Sequence, residues 1–251
     1  MRDVAADAER FRSLHMVGAP VILANAWDPP TARLVEEAGL GAVATSSGAV
    51  AAVSGYRDGG ELPVGVAFGA VARIAAAVGL PVSADIEDGY GLAAGDLVER
   101  LVSAGACGCN VEDTDHASGG LVDAGAQADR LHAIKEAGRA VGIDLVLNAR
   151  VDVYLQPTAD HDEALDRARR YWAAGADCVY PIRLGDLEVI RALASEVGPV
   201  NVFYRPRGPG LAELAAAGVS RISLGGGLFR LGLDRVRQAI GALAGGHDPF
   251  G

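Results

Sequence analysis

The chain has 251 residues, half of them hydrophobic and 22% charged, with a formal net charge of −10. That balance supports a packed core rather than disorder, and a net negative surface repels phosphate backbones, so nucleic acid is not an expected partner. No run of eighteen apolar residues occurs, and the first ten residues lack the apolar centre of a signal peptide, so no membrane association is expected and a cytoplasmic protein is.

Short apolar runs alternate with helical patterns from one end of the chain to the other. Strands are expected at residues 21–24, 42–45, 82–85, 108–112, 144–148, 178–180, 200–203 and 221–223. Between them apolar residues recur at helical spacing, as in Val71, Ile74 and Val78, or Leu97, Val98, Leu101 and Val102. Gly39, Gly79, Gly105, Gly175, Gly198 and Gly218 each stand where such a helix would stop, because glycine takes the left-handed conformation that turns the chain toward the next strand. Eight such units in about 250 residues predict an α/β fold, a single-domain (β/α)8 TIM barrel over 1–251. An open doubly wound sheet is the alternative, but no G-x-G-x-x-G follows the first strand.

In a parallel barrel the strand C-termini open on one mouth, and three polar stretches fall there. They are Asp85-Ile-Glu87-Asp88-Gly-Tyr-Gly, Asn110-Val-Glu112-Asp113 and Asn148-Ala-Arg150-Val-Asp152. Asp85 closes one strand, Glu87 points the same way if the extended backbone continues, and Glu112 closes the neighbouring strand. Three close carboxylates repel one another unless a cation neutralises them. With no His or Cys in the set, Mg2+ is expected, or Mn2+. The bland reading makes Asp85, Glu87, Asp88 and Asp113 caps and loop carboxylates at helix N-termini. Arg150, in an apolar context, needs a carboxylate, which Asp152, Glu112 or a small anionic substrate could supply. Cys107, Cys109 and Cys178 lie in or beside expected strands and read as buried free thiols.

Taken together in order and spacing, these stretches resemble the isocitrate lyase/phosphoenolpyruvate mutase superfamily, in particular its short phosphonomutase-like members. Residues 23–28, 44–48, 55–59, 199–202 and 218–223 join 85–91, 110–113 and 148–152 in carrying the resemblance. It implies a barrel that forms a homo-oligomer, a dimer or a tetramer, with the last helix exchanged between neighbours. It implies that Asp85, Glu87 and Glu112 surround magnesium, and that Ser46, Ser47, Gly48 and Asn201 bind substrate. Arg150 would hold the anion, and Asp58 would sit on a mobile gating loop containing Gly55, Gly59 and Gly60.

The implied chemistry is a metal-stabilised enolate of a small 2-oxo or 2-hydroxy carboxylate, with a carbon–carbon or phosphorus–carbon bond made or broken. Many members carry a Lys-Lys/Arg-Cys-Gly stretch after the metal glutamate. Here the corresponding segment is Asp113-Thr-Asp-His116-Ala-Ser118-Gly-Gly-Leu, without lysine or cysteine, which points away from isocitrate and methylisocitrate lyase. His116 and Ser118 are the candidates for proton transfer there, a solvated loop histidine being the alternative. The competing reading of the whole is a catalytically altered member that binds a keto acid or dicarboxylate without turnover; an unrelated barrel aldolase is a third.

Overall fold

A computed structural model describes residues 2–250. The chain is a (β/α)8 barrel. Its staves are β1 (Val21–Leu23) continued after Ala24 by β2 (Asn25–Ala26), β3 (Val43–Thr45), β4 (Val82–Asp85), β5 (Gly108–Glu112), β8 (Val146–Val151), β9 (Cys178–Pro181), β10 (Asn201–Phe203) and β11 (Arg221–Ser223). All neighbouring staves pair in parallel, in the order β2-β3-β4-β5-β8-β9 and β1-β11-β10. The broken first stave serves both edges, and a parallel bridge between Val179 and Val200 joins β9 to β10, which closes the ring.

Outside the staves lie α2 (Pro29–Glu37), α3 (Ser47–Val53), α4 (Val64–Ala77), α5 (Ala94–Ser103), α6 (Ala124–Ala140), α7 (His161–Ala173), α8 (Leu187–Val197) and α9 (Leu211–Ala216). Carboxylates start several of these helices: Asp28, Asp123, Asp160 and Asp186 each accept a backbone N–H of the first turn. Gly39, Gly105, Gly175, Gly198 and Gly218 have φ between 75° and 100°, as their junctions require. Gly79 differs: its helix ends in an extended Val78, and its N–H donates to Glu36 Oε1 at 2.7 Å.

Alternate residues of each stave face opposite ways, and this sorts the chemistry. Cys109, Val111, Leu147, Ala149 and Val151 join the apolar layer under the helices. Asn110, Glu112, Asn148 and Arg150 take the other parity and fill the barrel interior. α1 (Val4–Ser13) closes the N-terminal end, burying Val4, Ala8 and Phe11 against Leu23, Ala44, Cys107 and Val146. The fifth parallel strand begins at Val146 and extends to Val151, later at both ends than the expected 144–148, so Arg150 lies within it. Among the elements not foreseen is a short antiparallel pair of β6 (Thr114–Asp115) and β7 (Gly120–Leu121) above the mouth. Among the described residues no helix is long and apolar enough to cross a membrane.

Candidate active site

A cavity of about 500 Å3 opens at the C-terminal ends of the staves. Six of the residues expected at the site line it: Ser46, Ser47, Gly48, Asp58, Asp85 and Arg150. β3 ends at Thr45, and α3 begins at once with Ser46 as its N-cap, its hydroxyl accepting from the Ala49 N–H at 3.4 Å. Asp85 closes β4, and its Oδ2 accepts from both the N–H and the hydroxyl of Ser47, each at 3.1 Å. Its other oxygen lies 3.5 Å from Asn110 Nδ2 on the next stave. Asp58 folds over Gly48, where an added Cβ would stand 2.9 Å from Asp58 Oδ2, so a larger residue there would push the carboxylate aside. Burial, together with the charge of Asp85, pushes the Asp58 carboxyl up.

Glu87, Glu112 and His116 form a second group just behind the cavity wall. The extended backbone does not continue past Asp85. Glu87 has φ of 52°, a left-handed conformation unusual for glutamate, and its buried carboxylate accepts from the Gly60 N–H. His116 Nε2 lies 2.9 Å from Glu112 Oε1 and 3.7 Å from Glu87 Oε2, off the N–H axis, so the contact with Glu112 is an ion pair rather than an aligned hydrogen bond. This is no solvated loop histidine. Glu112 raises its pKa to about 8, while burial raises that of Glu87 to about 7 and also raises Glu112. Ser118 bonds Asp115 in an exposed turn, away from the cavity.

Arg150 is held on two sides. Its Nε and Nη2 donate to the two oxygens of Asp152 at 2.6 and 2.8 Å, and Nη1 lies 2.5 Å from Glu112 Oε2, its register partner across β5 and β8. Its charge is therefore balanced inside the protein, although it lines the cavity. Asp113, the bland alternative among the acids, is structural: fully buried, it accepts from Tyr171, Arg167 and the Asp152 N–H. Asp88 accepts from the Tyr90 N–H in a tight turn.

The three carboxylates expected around magnesium are not gathered into a shared cage. Among the described residues no three His, Cys, Asp or Glu side chains are arranged to hold a metal. The reason is pairing: both Glu112 oxygens meet cations, and Asp85 is turned toward Ser47. Glu87 Oε1, by contrast, is buried without any partner, and a hard divalent cation is the kind of group that would satisfy it. Glu87 is thus the carboxylate with an oxygen open to such an ion, whereas Asp85 and Glu112 would join it only by loosening their present partners.

Asn201 does not reach the cavity. It lies fully buried in the interior, accepting from Ser223 at 3.3 Å, with its Nδ2 unpartnered. Several cavity residues were not foreseen: Asn25, Asn110, Tyr180, Arg183, Phe203 and Arg230. Asn110 carried a legible signal, a polar residue two before Glu112 in an apolar strand and hence on the same face. Asn25, Tyr180 and Phe203 also sit on staves, whereas Arg183 comes from a turn and Arg230 from the start of the last helix, where no strand period exists to read.

Residues 11–244 match the family described as phosphoenolpyruvate phosphomutase. A candidate phosphonomutase of Burkholderia cenocepacia is 39% identical, with a TM-score of 0.87 over 93% of this chain and 98% of that one. A phosphoenolpyruvate phosphomutase of Streptomyces platensis subsp. rosaceus is 30% identical, with a TM-score of 0.84 over 96% and 88%. A 2-methylisocitrate lyase of Halalkalibacterium halodurans is 27% identical over 245 residues, 94% of this chain and 77% of the relative.

Proposed function

The chain belongs to the phosphoenolpyruvate mutase/isocitrate lyase superfamily of lyases and mutases acting on small carboxylates, and on that premise we propose that it is a magnesium-dependent cytoplasmic enzyme of this kind. Its substrate in this reading is a small 2-oxo or 2-hydroxy carboxylate that reacts through an enolate. The observation that carries the reading is the single cavity holding Asp85, the Ser46–Gly48 turn and Arg150, with the unmatched oxygen of Glu87 behind it.

When bound by Asp85 and Glu87, a magnesium or manganese ion would supply positive charge facing the enolate oxygen. The protein's own residues do the rest. At the start of α3 the Ser46 hydroxyl and the Gly48 N–H are donors for the substrate's oxygens, while Ser47, whose two donors go to Asp85, orients that carboxylate. Arg150, clamped by Asp152 and Glu112, keeps its two remaining N–H groups in one orientation. Asp58 and its glycine-flanked loop cover the cavity and exclude water. His116, lying against Glu112 and near Glu87, is the titratable group placed for proton transfer beside the site. Asn201 supports the floor through Ser223, which lines the cavity. The chain also assembles as a homo-oligomer through its last helix, none of whose residues is buried.

Calorimetric titration with oxalate, an enolate-shaped anion, in magnesium buffer tests this. Asp85→Ala should lose magnesium-dependent binding by at least tenfold while its circular dichroism stays unchanged; equal affinity in a folded variant would reject the site. A second reading, binding without turnover, is favoured by the loop without lysine and cysteine at 113–121. Tight oxalate binding with no product by mass spectrometry from any 2-oxo or 2-hydroxy acid supplied would select it.

A further inference from the structure

Arg221 begins β11, at the end of the stave away from the cavity mouth, fully buried and without a carboxylate partner among the described residues. Its guanidinium carbon stands 5.5 Å from the centre of the Phe11 ring on the α1 plug, and its side chain crosses the interior to staves on the other side. There Nη2 donates to Asn110 Oδ1 at 2.9 Å and to Ser83 Oγ at 3.3 Å, whereas Nε and Nη1 are buried without partners. A guanidinium so incompletely matched costs stability in an interior, so packing does not account for its presence.

Its reach ends on one face of an amide. Asn110 Oδ1 also accepts from Asn148 Nδ2 at 2.7 Å, so two donors converge on that oxygen from within the barrel. Asn148 could turn over and accept instead, but a guanidinium carries donors only. With Arg221 behind it, a reversed Asn110 amide would set N–H against N–H, and the orientation is therefore decided by the arginine. Asn110 Nδ2 is left facing the cavity, which Asn110 lines. One of its two hydrogens is directed at Asp85 Oδ1, 3.5 Å away, a long contact, and the other remains for a ligand.

We propose that Arg221 is a positioning residue that fixes Asn110 as an N–H donor to an oxygen of the bound substrate. This rests on the proposed function, which supplies the anion that Asn110 meets. The buried charge also polarises the amide from behind, which strengthens the N–H facing the cavity in surroundings of low dielectric. A glutamine in place of Arg221 could present either a donor or an acceptor and would leave the amide free to reverse. Lysine, with three donors and no acceptor, keeps the sign.

Calorimetric titration with oxalate at saturating magnesium, set beside thermal unfolding, separates positioning from support. Arg221→Met should unfold within a few degrees of wild type, because it removes orphaned donors from the interior, yet bind oxalate about tenfold more weakly. Arg221→Lys should recover most of that affinity by offering donors again. Asn110→Asp gives the arginine a carboxylate in the same place, so its melting temperature should rise while its oxalate affinity falls about tenfold with the lost N–H. If Arg221→Met does not fold, Asn110→Asp decides the matter. Wild-type affinity in a folded Arg221→Met or in Asn110→Asp overturns the assignment, as does a loss in Arg221→Met that lysine leaves wholly unrepaired. Absence of oxalate binding in the wild-type protein is instead a failure of the proposed function, and takes this assignment with it.

Discussion

His15 sits on the plug beneath the barrel, where its Nδ1 meets the Phe11 carbonyl at 2.9 Å and its other nitrogen is buried without a partner. Burial, reinforced by the Arg221 guanidinium, pushes its pKa from 6.5 down to about 4, against the opposing pull of the Phe11 carbonyl and Asp177. The unfolded chain therefore takes up the proton first as pH falls. Stability from this group is complete above about pH 6.5 and is lost progressively toward pH 4, by about 3 kcal/mol in all. The difference in melting temperature between wild type and His15→Gln should change across that window and be flat above it; a difference independent of pH would refute the buried neutral imidazole. Such a residue is invisible in sequence, because nothing in Leu14-His15-Met16 announces the guanidinium on a distant stave. Asp85 and Arg150 were legible for the opposite reason, since each is polar at the end of an apolar run. The run named Asp152 and Glu112 as possible partners of Arg150, and both are; what it could not show was that Glu87 reaches inward through a left-handed turn.

Elements were read most reliably where a backbone need forces a residue type. Five of the six glycine junctions turn the chain with positive φ, and all eight expected strands are present, since a stave buried on both faces must be apolar on its outer side. The β6–β7 hairpin escaped because two-residue strands have no period. Gly108 tests how tightly the elements meet: it begins β5 directly above the α1 plug. A Cβ there would lie 2.6 Å from the Val146 carbonyl oxygen, 3.1 Å from Val146 Cβ and 3.3 Å from the Phe11 ring. The first of these is backbone of the neighbouring stave and cannot swing aside, so β5 must separate from β8 or the plug must shift. Gly108→Ala should cost roughly 1–3 kcal/mol and lower the melting temperature by several degrees. Thermal unfolding followed by circular dichroism measures this, and an unchanged midpoint would mean that the stave–plug contact is loose.

For the whole molecule the informative element is the last helix, α10 (Gly227–Ala244), eighteen residues with no buried side chain. Its sequence allowed the apolar positions to cover either the chain's own barrel or a neighbour's. The structure leaves them uncovered: Leu233, Val236, Ile240 and Leu243, spaced three, four and three apart, share one face and are 45–60% exposed. Only the first turn is tied to its own barrel, by an edge-on contact of Phe229 with Trp27 at 5.2 Å between ring centres. Because these side chains are already half covered, burying the rest contributes about 1 kcal/mol each, summed over both copies when the same face is offered by a second chain. The wild-type protein should therefore elute as a dimer or tetramer of the 25.6 kDa chain, and Val236→Glu/Ile240→Glu should yield monomers, as read by light scattering. Because Phe229 and Arg230 stand on the first turn of the same helix and line the cavity, the monomeric variant should also bind oxalate more weakly than wild type. A wild-type monomer at micromolar concentration would remove the association, whereas a monomeric variant with unaltered oxalate affinity would show that α10 shapes the cavity without help from a neighbour.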